Sequence, residues 1–152
     1  MKNYPKTIVR LIIILLVGQF HFCSKNPQCW GEDKNEGIIN NSINIDIICS
    51  PKADQSEFII LDHSSFIQTF DSTCSLPNID FNTESLLGLY TDGGCEVKFI
   101  RKVTRMDNEN KYHYKVTVKD CGNCKKLGYS YNWVTVPKLP SAWTVTFETK
   151  KK

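Results

Sequence analysis

One pattern constrains this chain more than any other: apolar and polar residues alternate along most of its length. Tyr112, Tyr114, Val116 and Val118 alternate with His113, Lys115, Thr117 and Lys119. Val97 and Phe99 flank Lys98, and Ile43, Ile45 and Ile47 flank Asn44 and Asp46. Tyr129, Tyr131 and Trp133 alternate with Ser130 and Asn132; Trp143, Val145 and Phe147 alternate with Thr144 and Thr146. A period of two sends every second side chain to the same face, so these segments predict strands with one buried side. Phe58-Ile59-Ile60-Leu61 is a short continuous apolar run and reads as a further strand. Only one segment has helical spacing. Ser65 and Gln68 stand as a capping box would, and Phe66, Ile67 and Phe70 are expected to share a face. The expected fold is therefore mainly β: a small antiparallel β-sandwich or open barrel with one short α-helix, stapled by disulfides.

The turn residues Asp107-Asn108-Glu109-Asn110 separate two alternating runs and predict a hairpin. Centring it there sets Met106 opposite Lys111, Phe99 opposite Val118 and Val97 opposite Asp120. This register keeps the apolar residues of both strands on one face. Extended outward, it sets Cys95 opposite Gly122 and brings Cys124 diagonal to Cys95, with Cys121 pointing away. Cys95–Cys124 is thus the expected pair, and a bulge at Gly93-Gly94 would shift the pairing to Cys121. Cys49 with Cys74 rests on separation alone, and no geometric argument reaches Cys29.

The first stretch has the grammar of an export signal. Lys2, Lys6 and Arg10 precede the apolar run Leu11 to Val17, and a turn to small and polar residues follows. Seven uninterrupted apolar positions are far short of the ~20 that a membrane-spanning helix needs. Seven cysteines fit that address: Cys23 closes the signal and six are spread beyond it, as in a disulfide framework. The expected organisation is a signal over residues 1–23, a tether over 24–37 and one β domain over 38–149. Phe22-Cys23-Ser24-Lys25-Asn26 resembles the start of bacterial lipoproteins, with Cys23 as the lipidated residue. Cleavage near Cys23 or Ser24, releasing a soluble protein, is the other fate. The lipoprotein reading implies an exported protein tethered to the cell envelope through a lipid anchor.

The chain's formal charge is +3, and three of its positives belong to the signal, so the residues after Cys23 sum to zero. A nucleic-acid surface ordinarily shows as a basic excess, and no nucleic-acid partner is expected. Chemistry-bearing motifs are sparse. Cys121-Gly122-Asn123-Cys124 has redox spacing but no thioredoxin-like strand–helix context. Neither a second Cys-x-x-Cys nor a His-x3–5-His motif accompanies it, so no metal is expected. Asp62-His63-Ser64-Ser65 holds the residue types of a hydrolase triad, but triads come from distant parts of a chain, and this run reads as a helix cap. No catalytic residue and no cofactor are expected. Tyr129, Tyr131 and Trp133 form an aromatic stripe that is either the buried face of a sheet or a protein-binding surface.

From Pro77 onward the order of motifs resembles the C-terminal domain family of the protease-complex subunit PrcB. The residues are Pro77-Asn78-Ile79-Asp80-Phe81, Leu87-Gly88, Gly93-Gly94, Val97-Lys98-Phe99, Val116-Thr117-Val118, Cys124, Val134-Thr135-Val136-Pro137-Lys138 and Val145-Thr146-Phe147. Cys95 departs from that family, which often has an aromatic after Gly-Gly. The resemblance implies a non-enzymatic accessory lipoprotein whose partner is another protein, such as a secreted protease. Two other readings stand beside it: a protease inhibitor presenting a loop at Thr91-Asp92-Gly93-Gly94, and a thiol–disulfide redox protein using Cys121 and Cys124.

Overall fold

The structure, a computed structural model, describes residues 31–45, 49–52, 55–94, 96–121 and 128–152. Among the described residues the strands are β1 (Lys34–Gly37), β2 (Asn41–Ile43), β3 (Glu57–Ile60), β4 (Glu84–Gly93), β5 (Val97–Met106), β6 (Lys111–Asp120), β7 (Gly128–Pro137) and β8 (Thr144–Lys151), and one α-helix, α1 (His63–Thr69), follows β3. They form two four-stranded sheets, ordered β1-β5-β6-β8 and β2-β7-β4-β3. Most pairings are antiparallel, while β1–β5 and β6–β8 are parallel. The architecture is the expected mainly-β sandwich, with no closed barrel. β1 falls inside the stretch expected to be a tether.

The β5–β6 hairpin has the register that its turn dictates: Met106 faces Lys111, Phe99 faces Val118 and Val97 faces Asp120. Asp107–Glu109 form a single 3₁₀ turn, and Asn110 closes it at φ +49°, a left-handed conformation that Asn tolerates better than most side chains. The inward residues of this hairpin, Phe99, Val103, Tyr112, Tyr114, Val116 and Val118, meet Leu87, Leu89, Val134 and Val136 of the other sheet. Each such side chain contributes roughly 1.5–3 kcal/mol by leaving water.

A second core lies on the far side of the β2-β7-β4-β3 sheet. There Phe58, Ile60, Leu86 and Trp133 pack under Phe66, Phe70, Ile79 and Cys49. This sheet is covered on both faces, which explains why Ser85-Leu86-Leu87-Gly88-Leu89 is buried without interruption. Gly88 is required by that packing. A Cβ there would lie 2.1 Å from the Trp133 ring. Gly37, at φ +78°, lets β1 approach β5, where a Cβ would lie 1.9 Å from the Val103 carbonyl oxygen.

The run Asp62 to Ser65 caps the helix as expected, but not through a Ser65–Gln68 box. Asp62, not Ser65, caps α1: its carboxylate accepts from the Ser65 backbone N–H at 2.8 Å and the Ser65 hydroxyl at 2.9 Å. Asp62 is the stronger acceptor and stands three residues before Ser65, so the helix starts one turn earlier. Phe66 and Phe70 are buried as expected, but Ile67 is 49% exposed. A helix this short spans two turns, and residues 66 and 70 already occupy its inner face.

Candidate aromatic cleft

β4 and β7 pair so that Gly88 faces Trp133, Tyr90 faces Tyr131 and Asp92 faces Tyr129. Directly opposed residues share a face, so the stripe Tyr129-Tyr131-Trp133 and Tyr90 stand together on the outer side of this sheet. Their rings form a ladder. Tyr129 stacks on Tyr90 at 5.7 Å, Tyr90 meets Tyr131 at 4.9 Å, and Tyr131 stacks on Trp133 at 5.9 Å. Burial is graded along the ladder: Trp133 is 2% exposed, Tyr131 is half-buried and Tyr129 is 56% exposed. The stripe is therefore core at one end and surface at the other. Its opposite face, Val134 and Val136, is wholly consumed by the sandwich interior.

At the exposed end the rings line a cleft of about 540 Å³. Ile45 and Cys49 supply apolar wall on the other side, while Asn44, Ser50 and Ser130 bring polar groups to the same space. Cys49 is disulfide-bonded to Cys74, with 5.5 Å between their Cα atoms. The pairing that separation suggested thus ties the cleft wall to the segment after α1. The sequence reading found three of the four rings. It missed Tyr90, whose signal was its place two residues beyond Gly88 in a run too continuously apolar to show a period.

A polar network fixes β7 from behind. Asn132 points into the interior between the two sheets and is fully buried. Its side-chain oxygen accepts from Arg101 Nε at 2.9 Å, and its amide donates to Thr91 Oγ1 at 2.9 Å. The Tyr114 hydroxyl donates to the Asn132 carbonyl at 2.9 Å. Arg101 is held in turn by Asp33 at 2.9 Å, and Asp33 also accepts from the Phe99 N–H at 3.0 Å. Burial pushes the Tyr114 phenol well above its ordinary value, with the Arg101 charge opposing. The strand that carries Tyr131 and Trp133 is thereby anchored through a residue between them, as a preorganised wall requires.

The other sites expected from the sequence fare differently. Asp62-His63-Ser64-Ser65 is a cap and nothing more; the Ser65 hydrogen bonds hold the Asp62 carboxyl below its ordinary 3.8. His113 stands on the outer face of β6, 3.1 Å from both Glu148 and Thr146. Lys115, first, and then His113 hold the Glu148 carboxyl below its ordinary 4.5. Thr91, Asp92 and Gly93 are not an inhibitory loop. They lie inside β4, paired to Ser130, Tyr129 and Gly128, and Asp92 is bound by Lys151 at 2.7 Å. Cys121 is disulfide-bonded, and its partner lies outside the described residues. Cys23, Cys29, Cys95 and Cys124 lie outside them too, and with them the lipidation site and the Cys95–Cys124 pair.

The family model of the polyphenol oxidase middle domain matches residues 107–144. That is about a quarter of the chain. The match runs from the hairpin turn through β6 and β7 to the start of β8, and so takes in Tyr129, Tyr131, Trp133 and Asn132. No curated protein and no solved structure matches.

This finding overturns the resemblance to PrcB, and with it the accessory-lipoprotein, protease-inhibitor and non-enzymatic readings. The physical reason lies in the motifs. Val-x-Val and Val-x-Phe are what any sandwich strand with one buried face requires: Val116, Val118, Val134 and Val136 are buried residues of the sandwich core. Their order reports sheet packing and carries no family information. The matched family is one of copper enzymes. The described residues do not fit a copper site, because no three His, Cys, Asp or Glu among them converge to hold a metal ion. His63 opens α1 and His113 faces outward from the other sheet.

Proposed function

We propose that this chain is a β domain of a phenol-oxidising enzyme system, and that its part is to hold a small planar aromatic compound in the cleft of Tyr90, Tyr129, Tyr131 and Trp133. The observation that carries the reading is the graded ladder of four rings at the mouth of a cleft of about 540 Å³. Cleft volumes of roughly 300–1,000 Å³ suit small molecules, and apolar walls with few polar groups suit their recognition. Stacked and edge contacts with the ligand ring would each add about 0.5–1.5 kcal/mol beyond burial. Asn44 lines the cleft where a ring hydroxyl would need a partner. The match to a polyphenol oxidase domain supports a phenol over other aromatics, since it covers the β7 wall. The Cys49–Cys74 bond supports an exported protein, since disulfides persist in oxidising compartments.

Titration of the full chain with catechol, followed by tryptophan fluorescence, tests the reading. Saturable quenching is expected, weakened about 3- to 10-fold by Tyr129→Ala. Oxygen uptake in the same mixture tests whether oxidation accompanies binding. A linear, unsaturated response up to millimolar catechol, unaltered by the substitution, would end the proposal.

A further inference from the structure

The outer face of the β1-β5-β6-β8 sheet is far more basic than the chain as a whole. Phe99, Val103, Tyr112, Tyr114, Val116 and Val118 point inward, so the intervening residues of β5 and β6 point out. The ladder register then places seven lysines on one face: Lys34, Lys98, Lys102, Lys111, Lys115, Lys119 and Lys150. Its strands bring two acids to it, Glu36 and Glu148, and Glu109 reaches Lys111 from the turn. The residues after Cys23 sum to zero charge. The excess here is balanced by acids elsewhere, and the folded domain is strongly polarised. Reading net charge from the sequence hid this face.

The lysines are also arranged at a cost to the fold. Lys98 stands directly opposite Lys119, and Lys102 directly opposite Lys115. Like charges facing each other across an antiparallel pair are destabilising. Lys115 is relieved by Glu148, and Lys111 by Glu109. Among the described residues Lys98, Lys102 and Lys119 make no ion pair. Lys102 and Lys115 have Glu36 and Glu148 beside them, but Lys98 and Lys119 face each other with no ion pair, which a merely solvated face has no need of.

We infer that this face docks on an anionic lipid surface. Its shape and composition favour that partner over a nucleic acid. The outward positions of β5, β6 and β8 carry no Arg, Tyr, Trp or Phe. Base recognition relies on Arg forks, and single-stranded binding relies on aromatic stacking platforms. Lysines are hydrated point charges that need no fixed geometry. Four residues separate Lys98 from Lys102 along one strand, about 13 Å. The patch therefore spreads its charge over the width of four strands, which suits a bilayer of anionic headgroups. Each lysine near such a surface strengthens binding about 5-fold at moderate ionic strength.

The test is sedimentation of the full chain with vesicles of phosphatidylcholine alone and of phosphatidylcholine with phosphatidylserine at 7:3. The neutral vesicles give the baseline set by the apolar run Leu11 to Val17. Binding to the anionic vesicles should exceed that baseline at least 10-fold in low salt and return to it in high salt. Lys98→Glu with Lys102→Glu should lower the anionic excess by roughly 25-fold or more. Lys98→Glu makes an opposite-charge pair with Lys119, while Lys102→Glu gains Lys115 across β6 and faces Glu36 across β1, so thermal stability should stay near that of the wild type. An unchanged Tm separates lost docking from lost folding. Should the reversed chain fail to fold, Lys119→Gln, with an expected 5-fold loss, decides the same point. Equal binding to both vesicles, or charge-reversed chain that binds anionic vesicles as well as wild type, overturns the inference. So does a single-stranded oligonucleotide that strips the protein from vesicles at concentrations below that of lipid phosphate.

Discussion

Gly88→Ala is the sharpest test of how this sheet is built. Gly88 lies between Phe58 on β3 and Trp133 on β7, directly opposite both. Their rings close over it at 5.3 Å, and Trp133 also meets Phe70 at 5.4 Å and Tyr131 at 5.9 Å. An added Cβ would lie 2.1, 2.4 and 2.6 Å from three atoms of the indole. Ordinary contact is 3.4–4 Å, so the ring would have to retreat by more than an ångström into three other rings. Overpacking of this kind costs about 1–3 kcal/mol. Replacing glycine in a strand returns about 0.5–1 kcal/mol of backbone entropy. The net expected loss is about 1–1.5 kcal/mol, or a fall of roughly 3–8 °C in Tm. Urea unfolding followed by fluorescence should show a lower midpoint with an unchanged slope. Trp133→Leu removes the obstacle, so Gly88→Ala in that background should be close to neutral, with a coupling of about 1–3 kcal/mol. A stable Gly88→Ala chain with wild-type Trp133 would refute the packing argument and the placement of the cleft wall with it.

Three further outcomes are expected. Asn132→Ala strips Arg101 and Thr91 of a buried partner and should cost about 2–4 kcal/mol in denaturant unfolding; a loss under 1 kcal/mol would show that water replaces the amide. Cys49→Ser with Cys74→Ser opens a bridge of separation 25 and should lower stability by about 3.5 kcal/mol on chain entropy, read by the same unfolding curve; it should also weaken catechol binding, since Cys49 lines the cleft. Asp62, Asp80, Asp92 and Glu148 all have folded pKa values below their ordinary 3.8 and 4.5; their stabilisation is complete above the unfolded values and is lost as pH falls through the depressed folded ones. Calorimetry should therefore show a flat Tm above about pH 5 and a steep fall below pH 4, and a Tm insensitive to acid would mean those hydrogen bonds are not maintained in solution.

Legibility in the sequence followed the physics of each element. Strands with one wet face announced themselves, because alternation is the direct consequence of half-burial; β5, β6 and their register came from the turn at residues 107–110 and the alternation on either side of it. β4 did not, because it is buried on both sides and Leu86 to Tyr90 carries no period to read. β1 escaped for the opposite reason. All four of its residues are exposed, and it is held by backbone pairing to β5 beside the Asp33–Arg101 bridge. Nothing in Lys34-Asn35-Glu36-Gly37 distinguishes a charged edge strand from a tether.

The aromatic stripe shows the same limit at the level of function. Alternation places Tyr129, Tyr131 and Trp133 on one face but cannot say what covers it. The cover comes from α1, from the segment after it, and from the Cys49–Cys74 bond, all distant in sequence. It reaches Trp133 and stops short of Tyr129. One stripe therefore serves two purposes, anchoring the sheet at one end and lining the cleft at the other. The basic face obeys a related rule. Each lysine of β5 and β6 looks like the polar half of an ordinary amphipathic strand, and only the register sums them. Charge that cancels along the chain need not cancel across a fold, because strand alternation sorts residues by face, and pairing then sets the like faces side by side.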